Sequence, residues 1–360
     1  MILHKPDNQI GKNTPSHLFY AGLDSFRGIG ILWIICCHYF PHIDFFRFGW
    51  VSLEFFFVLS GFLITKVLLH SSTKKNFFSF FYMRRALRIF PIYFLFIIIF
   101  FAAVFLISKP HHFVFLKENF FYYFIYLQNF LFVFKGLEPE KYLNHLWSLA
   151  MEEQFYFLWP LAIYYIRDLK RLKKILWFII CFAFVFRVIV WYFWGERFEV
   201  YHCNTFARID TIAFGCLLGC GFSYKDISKK LRVLLISVCI SIFIFGFLYF
   251  KDPFITNPVF CTLGYSAFSF LSILFLEYFI SEEKKFRFLK TNRLVNYLGQ
   301  ISYGMYLIHI PILLFLLPRT GLPETMTSLL CILLTFILAS LSYWFYEIKF
   351  LNMKKKFPVQ

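Results

Sequence analysis

The sequence predicts an all-α integral membrane protein with about ten transmembrane helices. Of its 360 residues, 60% are hydrophobic and only 16% are charged, whereas soluble domains are about 45–50% apolar and about 25% charged. Apolar segments of about 20 residues, the length that crosses a bilayer as a helix, recur along the chain. The net charge of +17 falls mainly between these segments. This composition argues against a disordered chain, a coiled coil, a disulfide-stapled secreted domain and an ordinary soluble enzyme.

The predicted spans follow in chain order from length and apolarity. They lie near 24–42, 51–69, 89–108, 146–166, 175–195, 206–222, 233–250, 257–281, 295–317 and 326–347. The first span follows a polar stretch and is not succeeded by a small-residue cleavage site, so we interpret it as a retained helix and not as a signal peptide. The loops are too short for a second folded unit. We therefore interpret residues 1–360 as a single transmembrane domain.

A further apolar run, 120–134, is shorter and contains Gln128 and Asn129. If this run is re-entrant or interfacial and the N-terminus is cytoplasmic, 26 of the 37 Lys and Arg lie on the cytoplasmic side. The positive-inside rule favours that arrangement, which makes both termini cytoplasmic. The basic residues are spread over short loops on one face, which favours contact with lipid headgroups over nucleic-acid binding. The nine Cys form no CxxC and no zinc-like His/Cys spacing, so we expect no metal site.

Two polar residues of the first predicted span are candidates for chemistry. Charged groups within a bilayer cost several kcal/mol and usually face a cavity or a partner. Arg27 and His38 are eleven residues apart, so they share one helix face and lie about 16 Å apart along the axis. Histidine exchanges a proton near neutral pH. The alternative is that His38 is only hydrogen-bonded to a neighbouring helix.

Three other predicted spans carry polar groups near their outer ends. These residues are Glu54, then Trp147, Ser148, Glu152 and Glu153, and finally Arg208 and Asp210. We expect them in the outer half of the bundle, at the depth of His38. They would either tune the proton affinity of the histidine and position a substrate, or form a buried ion-pair network with a purely structural role.

A third set of polar residues lies at the cytoplasmic start of the third predicted span. It consists of Arg84, Arg85 and Arg88. Arg85 and Arg88 are three residues apart and share a helix face. Guanidinium groups bind phosphate through paired hydrogen bonds, which makes these arginines candidates for an anionic ligand. Membrane anchoring and contact with lipid headgroups are the alternative.

Several motifs occur in the same order as in a known family. They are Phe26-Arg27 through His38, Gly49-Trp50-Val51-Ser52-Leu53-Glu54, Arg84-Arg85-x-x-Arg88-Ile89-x-Pro91, His145-Leu146-Trp147-Ser148 through Glu152-Glu153-Gln154-Phe155-Tyr156, Arg208-Ile209-Asp210, and Ile301-Ser302-Tyr303-Gly304-Met305-Tyr306-Leu307-Ile308-His309. Together they resemble the bacterial acyltransferase-3 family, integral-membrane acyltransferases that modify sugars. The resemblance covers about 23–350.

The chain departs from the family pattern at two positions. The acid of the second span, often Asp in the family, is Glu54 here, and the usual Glu-x-Pro of the last span reads Glu347-Ile348-Lys349. The second change puts the role of Glu347 in doubt. Many relatives also append an extracytoplasmic esterase-like domain, which we do not find in this sequence. Transfer to the final acceptor would then fall to the membrane domain itself or to a separate protein.

The resemblance implies an O-acyltransferase of the bacterial cytoplasmic membrane. Its donor would be an acyl-CoA, usually acetyl-CoA acting as a co-substrate, with no tightly bound cofactor. Its acceptor would be a glycan or lipid-linked glycan of the cell surface, such as O-antigen, capsule or exopolysaccharide. The competing function is a transporter or exporter of such a glycan, for which paired repeats and broken helices would be expected. We find no such pairing in the sequence.

Within this scheme the candidate residues receive distinct roles. His38 would be the general base or, alternatively, a nucleophile that forms an acyl-histidine. Glu152 or Glu153 would orient the imidazole or the acceptor, and Arg27 would hold the donor or balance charge. Arg84, Arg85 and Arg88 would bind the phosphates of the donor. The expected acceptor-binding set is Glu54, Trp147, Ser148, Arg208, Asp210, Tyr303 and His309, with packing favoured as the role of Tyr303, Tyr306 and His309.

Overall fold

The computed structural model describes residues 22–357, apart from 108, 110, 196 and 251–256. These residues form helices and no strand. The α-helices are α1 Leu23–Tyr39, α2 Asp44–Arg47, α3 Val51–Ser71, α4 Phe77–Ile107, α5 Val114–Phe124, α6 Gln128–Lys135, α7 Trp147–Tyr165, α8 Leu169–Trp194, α9 Phe198–His202, α10 Thr205–Gly219, α11 Lys229–Phe250, α12 Tyr265–Ser281, α13 Arg287–Thr291, α14 Arg293–Leu316, α15 Glu324–Ser342 and α16 Ile348–Met353. Single π-helical turns, Phe260–Gly264 and Tyr343–Glu347, precede α12 and α16.

Seven helical segments in the described residues are long and apolar enough to cross a membrane. They are Asp44–Ser71, Phe77–Leu106, Leu169–Trp194, Lys229–Phe250, Phe260–Ser281, Arg293–Leu316 and Glu324–Lys356. The prediction of an all-α membrane protein is confirmed. The other three predicted spans correspond to α1, α7 and α10, which are shorter or more polar. The total of ten spans and the cytoplasmic location of both termini remain predictions.

The run 120–134 does not form one long helix. It is divided between α5, of 11 residues, and α6, of 8 residues, and neither approaches the length of about 20 that crosses a bilayer. The polar residues that interrupt the run anchor it instead. Gln128 donates a hydrogen bond to the Leu146 carbonyl at 2.8 Å, and Asn129 donates one to the Thr205 hydroxyl at 2.9 Å. The segment is thereby attached to the starts of α7 and α10.

Helix α4 begins at Phe77, twelve residues before the predicted start of the third span at 89. The helix thus starts before the predicted entry to the membrane span at Arg84, Arg85 and Arg88, and the position of that entry remains a prediction. Phe77 and Phe81 are buried, and their packing extends the helix towards the preceding loop. The three arginines consequently lie two to three turns inside α4.

Glycines bring two pairs of helices into backbone contact, as is typical of helix interfaces in membranes. A Cβ atom at Gly299 of α14 would clash with the Asp24 carbonyl of α1, and one at Gly215 of α10 would clash with the Val58 carbonyl of α3. The first contact sets α1 against α14, and the second sets α3 against α10. These two close pairs determine which polar side chains meet in the interior.

Candidate active site

The α1–α14 contact brings His38 and His309 together. The His309 Nε2 atom lies 3.4 Å from His38 Nδ1. His309 Nδ1 is 2.7 Å from the Tyr306 carbonyl, and His38 Nδ1 is 3.0 Å from the Ile34 carbonyl. A carbonyl oxygen only accepts, so both Nδ1 atoms carry the proton in these contacts. The Nε2 atom of a neutral His38 is then unprotonated and able to accept a proton.

A third histidine completes what we call the histidine group, which consists of His38, His145 and His309. The rings of His145 and His309 lie 5.0 Å apart, and His145 Nε2 is 3.2 Å from the Leu307 carbonyl. His309 is fully buried, whereas His38 is exposed. The exposed ring is the one that a substrate can reach. Sequence reasoning did not assign a role to His145, although its position beside the Trp147-Ser148 block was a usable signal.

Glu152 and Glu153 lie with arginines and not against His38. Both glutamates line a cavity of about 120 Å³, together with Ser148, Tyr303 and Tyr306, and with Arg27, Arg85 and Arg88. No hydrogen bond or ion pair joins either glutamate to His38 within the described residues. Their expected position beside the histidine is therefore corrected. Glu152 lies five residues into α7, about 8 Å along its axis, where its carboxylate accepts a hydrogen bond from Ser60 of α3.

Glu152 is held by a chain of hydroxyl groups. Tyr156 donates a hydrogen bond to the Ser60 hydroxyl at 3.0 Å, and Ser60 donates one to Glu152 at 2.9 Å. The Arg85 guanidinium lies over the Tyr156 ring, 4.9 Å from its centroid. This stacking links the carboxylate to the arginine through an aromatic side chain, without a direct ion pair between the two.

A larger cavity of about 430 Å³ adjoins the first. We call the basic residues that line it the cationic group, and they are Arg27, Lys74, Lys75, Arg84, Arg85, Arg88 and Lys354. The described lining of this cavity contains no acidic residue. Arg27 forms an ion pair with Asp24 at 2.8 Å, and Arg27, Arg85 and Arg88 line both cavities. The two cavities therefore meet at these three arginines.

The α3–α10 contact forms a separate, buried ion network. Arg208 pairs with Glu54, and Arg187 forms two parallel bonds of 2.8 Å with Asp210. Arg187, Arg208 and Asp210 have no exposed surface, and Arg208 lies over the Tyr265 ring at 3.4 Å. None of these ions lines either of the two cavities. This geometry matches the structural alternative for these ions.

Sequence reasoning placed Arg187 inside a span but gave it no partner. The rule that an intramembrane arginine requires an acid was the available signal. Trp147 packs against the same network, with its ring 5.4 Å from the Arg208 guanidinium and 4.4 Å from the His202 ring. The expected acceptor-binding residues Glu54, Trp147, Arg208 and Asp210 are thus grouped around one buried network.

Ser148, Tyr303 and Tyr306 do line the smaller cavity. The Ser148 and Tyr306 hydroxyl groups lie 2.7 Å apart, and Tyr306 donates a hydrogen bond to the His145 carbonyl at 2.9 Å. The buried Tyr303 hydroxyl has no hydrogen-bond partner within the part of the chain that is described. Tyr303 therefore offers a hydroxyl group for a ligand in this cavity.

The known proteins that the chain resembles in sequence are all named O-acetyltransferases in the three cases below. The chain is 30% identical over 355 residues to "O-acetyltransferase OatA" of Staphylococcus aureus (strain NCTC 8325 / PS 47), covering 91% of this chain and 57% of that protein. It is 27% identical to "Putative peptidoglycan O-acetyltransferase YrhL" of Bacillus subtilis, with 93% and 55% covered, and 26% identical to "Peptidoglycan O-acetyltransferase OatA" of Listeria monocytogenes, with 92% and 56% covered. The chain thus spans little more than half the length of these relatives.

No solved structure matches the chain. The family described as "Acyltransferase domain", acyltransferase-3, matches residues 20–346, which include all the cavity-lining arginines, the histidine group and the buried ion network. The chain is a multi-pass membrane protein that belongs to the acyltransferase-3 family.

Proposed function

We propose that this chain transfers an acetyl group from cytosolic acetyl-CoA to a sugar hydroxyl of a cell-envelope glycan. The observation that carries the proposal is the pair of adjoining cavities. Among the described residues, one is lined by seven cations and no acid, and the other by two carboxylates and six hydroxyl-bearing side chains together with three of the same arginines. A polyanionic donor suits the first cavity, and a polar acyl-transfer site suits the second. The names of the relatives support acetyl as the acyl group and a peptidoglycan-like acceptor.

The donor would enter from the side of the α3–α4 loop, which we assign to the cytoplasm. Arg85 and Arg88 would bind its pyrophosphate through paired, charge-assisted hydrogen bonds. Arg88 has no ion pair or hydrogen bond among the described residues, so its guanidinium is free for a phosphate. The thioester-bearing arm would then extend past Arg27 into the smaller cavity, towards the outer half of the bundle. This orientation corresponds to location in the bacterial cytoplasmic membrane.

The chemistry would centre on His38. The acceptor hydroxyl would give its proton to His38 Nε2 while its oxygen attacks the thioester carbonyl, and the C–S bond would break as the proton passes to the leaving CoA thiolate. His309 would hold His38 in the required tautomer, and Glu152 would orient the approaching acceptor. In the acyl-histidine variant, Nε2 itself attacks the thioester carbonyl, and the C–S bond breaks to release the CoA thiolate. The sugar hydroxyl then attacks the acyl carbonyl, the C–N bond to the imidazole breaks, and the proton of the hydroxyl passes to the CoA thiolate.

The test uses the full chain in lipid nanodiscs with radiolabelled acetyl-CoA and a peptidoglycan fragment. We expect His38→Ala to lose about 10²–10⁴-fold in acetyl transfer, the range typical of a general base. His42→Ala, at an exposed histidine in the loop after α1, is the matched control and should retain activity. Near-wild-type transfer by a well-expressed His38→Ala protein would overturn the role of His38, and absence of transfer by the wild type would overturn the proposed function.

A further inference from the structure

We propose that Lys354, in the C-terminal segment after α16, recognises the 3′-phosphate of the CoA donor and makes the protein selective for CoA over 3′-dephospho-CoA. The inference rests on the proposed acetyl-CoA site and adds a residue that no family motif contains. Lys354 differs in burial from the two lysines that follow it.

Three consecutive lysines precede Phe357, the last described residue of this segment. Lys354 is half-buried and lines the larger cavity, whereas Lys355 and Lys356 are exposed and do not. A lysine side chain buried among other cations is unfavourable unless an anion compensates the charge. The half-buried position of Lys354 therefore indicates an anion in the larger cavity, whereas the exposed positions of Lys355 and Lys356 do not.

The segment is held in place from α4. One nitrogen of the Arg84 guanidinium, Nη1, lies 2.8 Å from the Phe357 carbonyl and 3.4 Å from the Lys354 carbonyl, and donates to both. The Phe357 ring packs against Phe80 with centroids 6.0 Å apart. Because Nη1 of Arg84 donates to the C-terminal segment, fewer of its N–H groups are left to bind a phosphate, the role expected from the sequence. Its contacts position Lys354 at the cavity instead.

The cationic group has more charge than the pyrophosphate of the donor needs. Arg27, Arg85 and Arg88 line both cavities, which places them nearest the thioester end. The remaining members, Lys74, Lys75, Arg84 and Lys354, line only the larger cavity. The 3′-phosphate of CoA lies at the end of the molecule opposite the thioester, and a phosphate monoester carries close to two negative charges at pH 7. That group therefore matches the cations confined to the larger cavity.

Lys354 is the half-buried lysine of this subset, while Lys74 and Lys75 are exposed on the α3–α4 loop. An exposed lysine attracts an anion weakly because water and salt screen it. A partly desolvated ammonium group forms a stronger charge-assisted hydrogen bond. Discrimination between CoA and 3′-dephospho-CoA should accordingly depend on Lys354.

The experiment measures dissociation constants of CoA and of 3′-dephospho-CoA for the full chain in nanodiscs, by isothermal titration calorimetry. For the wild type we expect CoA to bind about tenfold or more tightly than 3′-dephospho-CoA, the effect of one charge-assisted hydrogen bond. Lys354→Gln should weaken CoA binding by about that factor and leave 3′-dephospho-CoA binding unchanged. Lys354→Arg should keep most of the selectivity, and Lys355→Gln, the matched control, should keep all of it.

Two results would overturn the inference while the donor site stands. One is unchanged selectivity in Lys354→Gln. The other is an equal loss of affinity for both ligands, which would mean that Lys354 binds the pyrophosphate or only adds to the positive electrostatic potential of the cavity. Arg88→Ala separates this failure from that of the proposed function, because it should weaken both ligands. If the wild type bound neither CoA nor 3′-dephospho-CoA, the donor site itself would be refuted.

Discussion

Replacing Asp210 by Asn should destabilise the protein by about 3–5 kcal/mol without removing a group that contacts substrate. Asp210 accepts two bonds of 2.8 Å from Arg187, and both side chains are completely buried. Removing one charge of a buried pair leaves the other uncompensated, and losses of about 3–5 kcal/mol are typical. The asparagine preserves the shape of the aspartate, so packing changes contribute little.

The assay is thermal unfolding in nanodiscs, combined with acetyl transfer measured below the unfolding temperature. The double variant Arg187→Leu with Asp210→Leu tests the origin of the loss, because removal of both charges should cost much less than removal of one. Lys285→Gln breaks an exposed pair with Glu282 at 3.1 Å, and serves as the matched control with an expected effect below about 1 kcal/mol.

An Asp210→Asn protein that unfolds at the wild-type temperature would refute the stabilising role of the Arg187–Asp210 pair. Wild-type stability together with loss of transfer would return Asp210 to the acceptor-binding role that the sequence first indicated. A stable and active variant would show that Arg187 is neutralised by another group.

Two further predictions concern a positioning histidine and a buried loop carboxylate. His309→Phe should lower kcat by about 10- to 100-fold, as is common for groups that orient a functional imidazole, and should leave the KM for acetyl-CoA unchanged. His309→Gln retains a hydrogen-bond acceptor and should lose less activity. An unchanged kcat for His309→Phe would exclude the role of His309 in fixing the tautomer of His38. In the loop after α6, burial raises the pKa of Glu138 to about 7 from its ordinary value of 4.5. The stabilising contribution of the protonated Glu138 carboxyl group is therefore full below about pH 4.5 and is lost as the pH rises through about 7, a change of up to about 3 kcal/mol. Glu138→Gln should flatten the dependence of Tm on pH between 5 and 8. An unaltered profile would contradict the raised pKa of Glu138.

The class of fold and several site residues were predictable because polar groups are rare in this chain. In an apolar helix each charged residue stands out, and helical periodicity places residues such as Arg27 and His38 on one face. Periodicity describes a single helix, however, and does not reveal which helix lies opposite. Contact between α1 and α14 depends on glycines whose close approach appears only in the folded chain. The pairing of His38 with His309 therefore could not be derived from spacing.

Glu152 was expected beside the histidine because its position on one helix does not reveal which other helix its side chain faces. Its helix begins at the predicted outer side, but the carboxylate accepts a hydrogen bond from Ser60 of α3, and Tyr156, one turn further along α7, meets Arg85 of α4. The partner of Asp210 was missed because Arg187 is 23 positions away and on another helix. Lys354 was counted only as a positive-inside charge. Its burial depends on contacts of the C-terminal segment with α4, which no local pattern encodes.

The separation of the two ends of α1 constrains how transfer can occur. Arg27 and His38 are eleven residues apart, which is about 16 Å along the helix. Arg27 lies where the two cavities meet, whereas His38 lines neither of them. In the proposed complex, acetyl-CoA has its phosphates at Arg85 and Arg88. Its acetyl group must therefore be presented by the extended arm of the donor, with Glu152 and Tyr303 along the way. On this geometry, shortening the arm should impair the reaction at His38 much more than it impairs binding at the arginines, and acetyl-CoA analogues with truncated pantetheine provide that comparison.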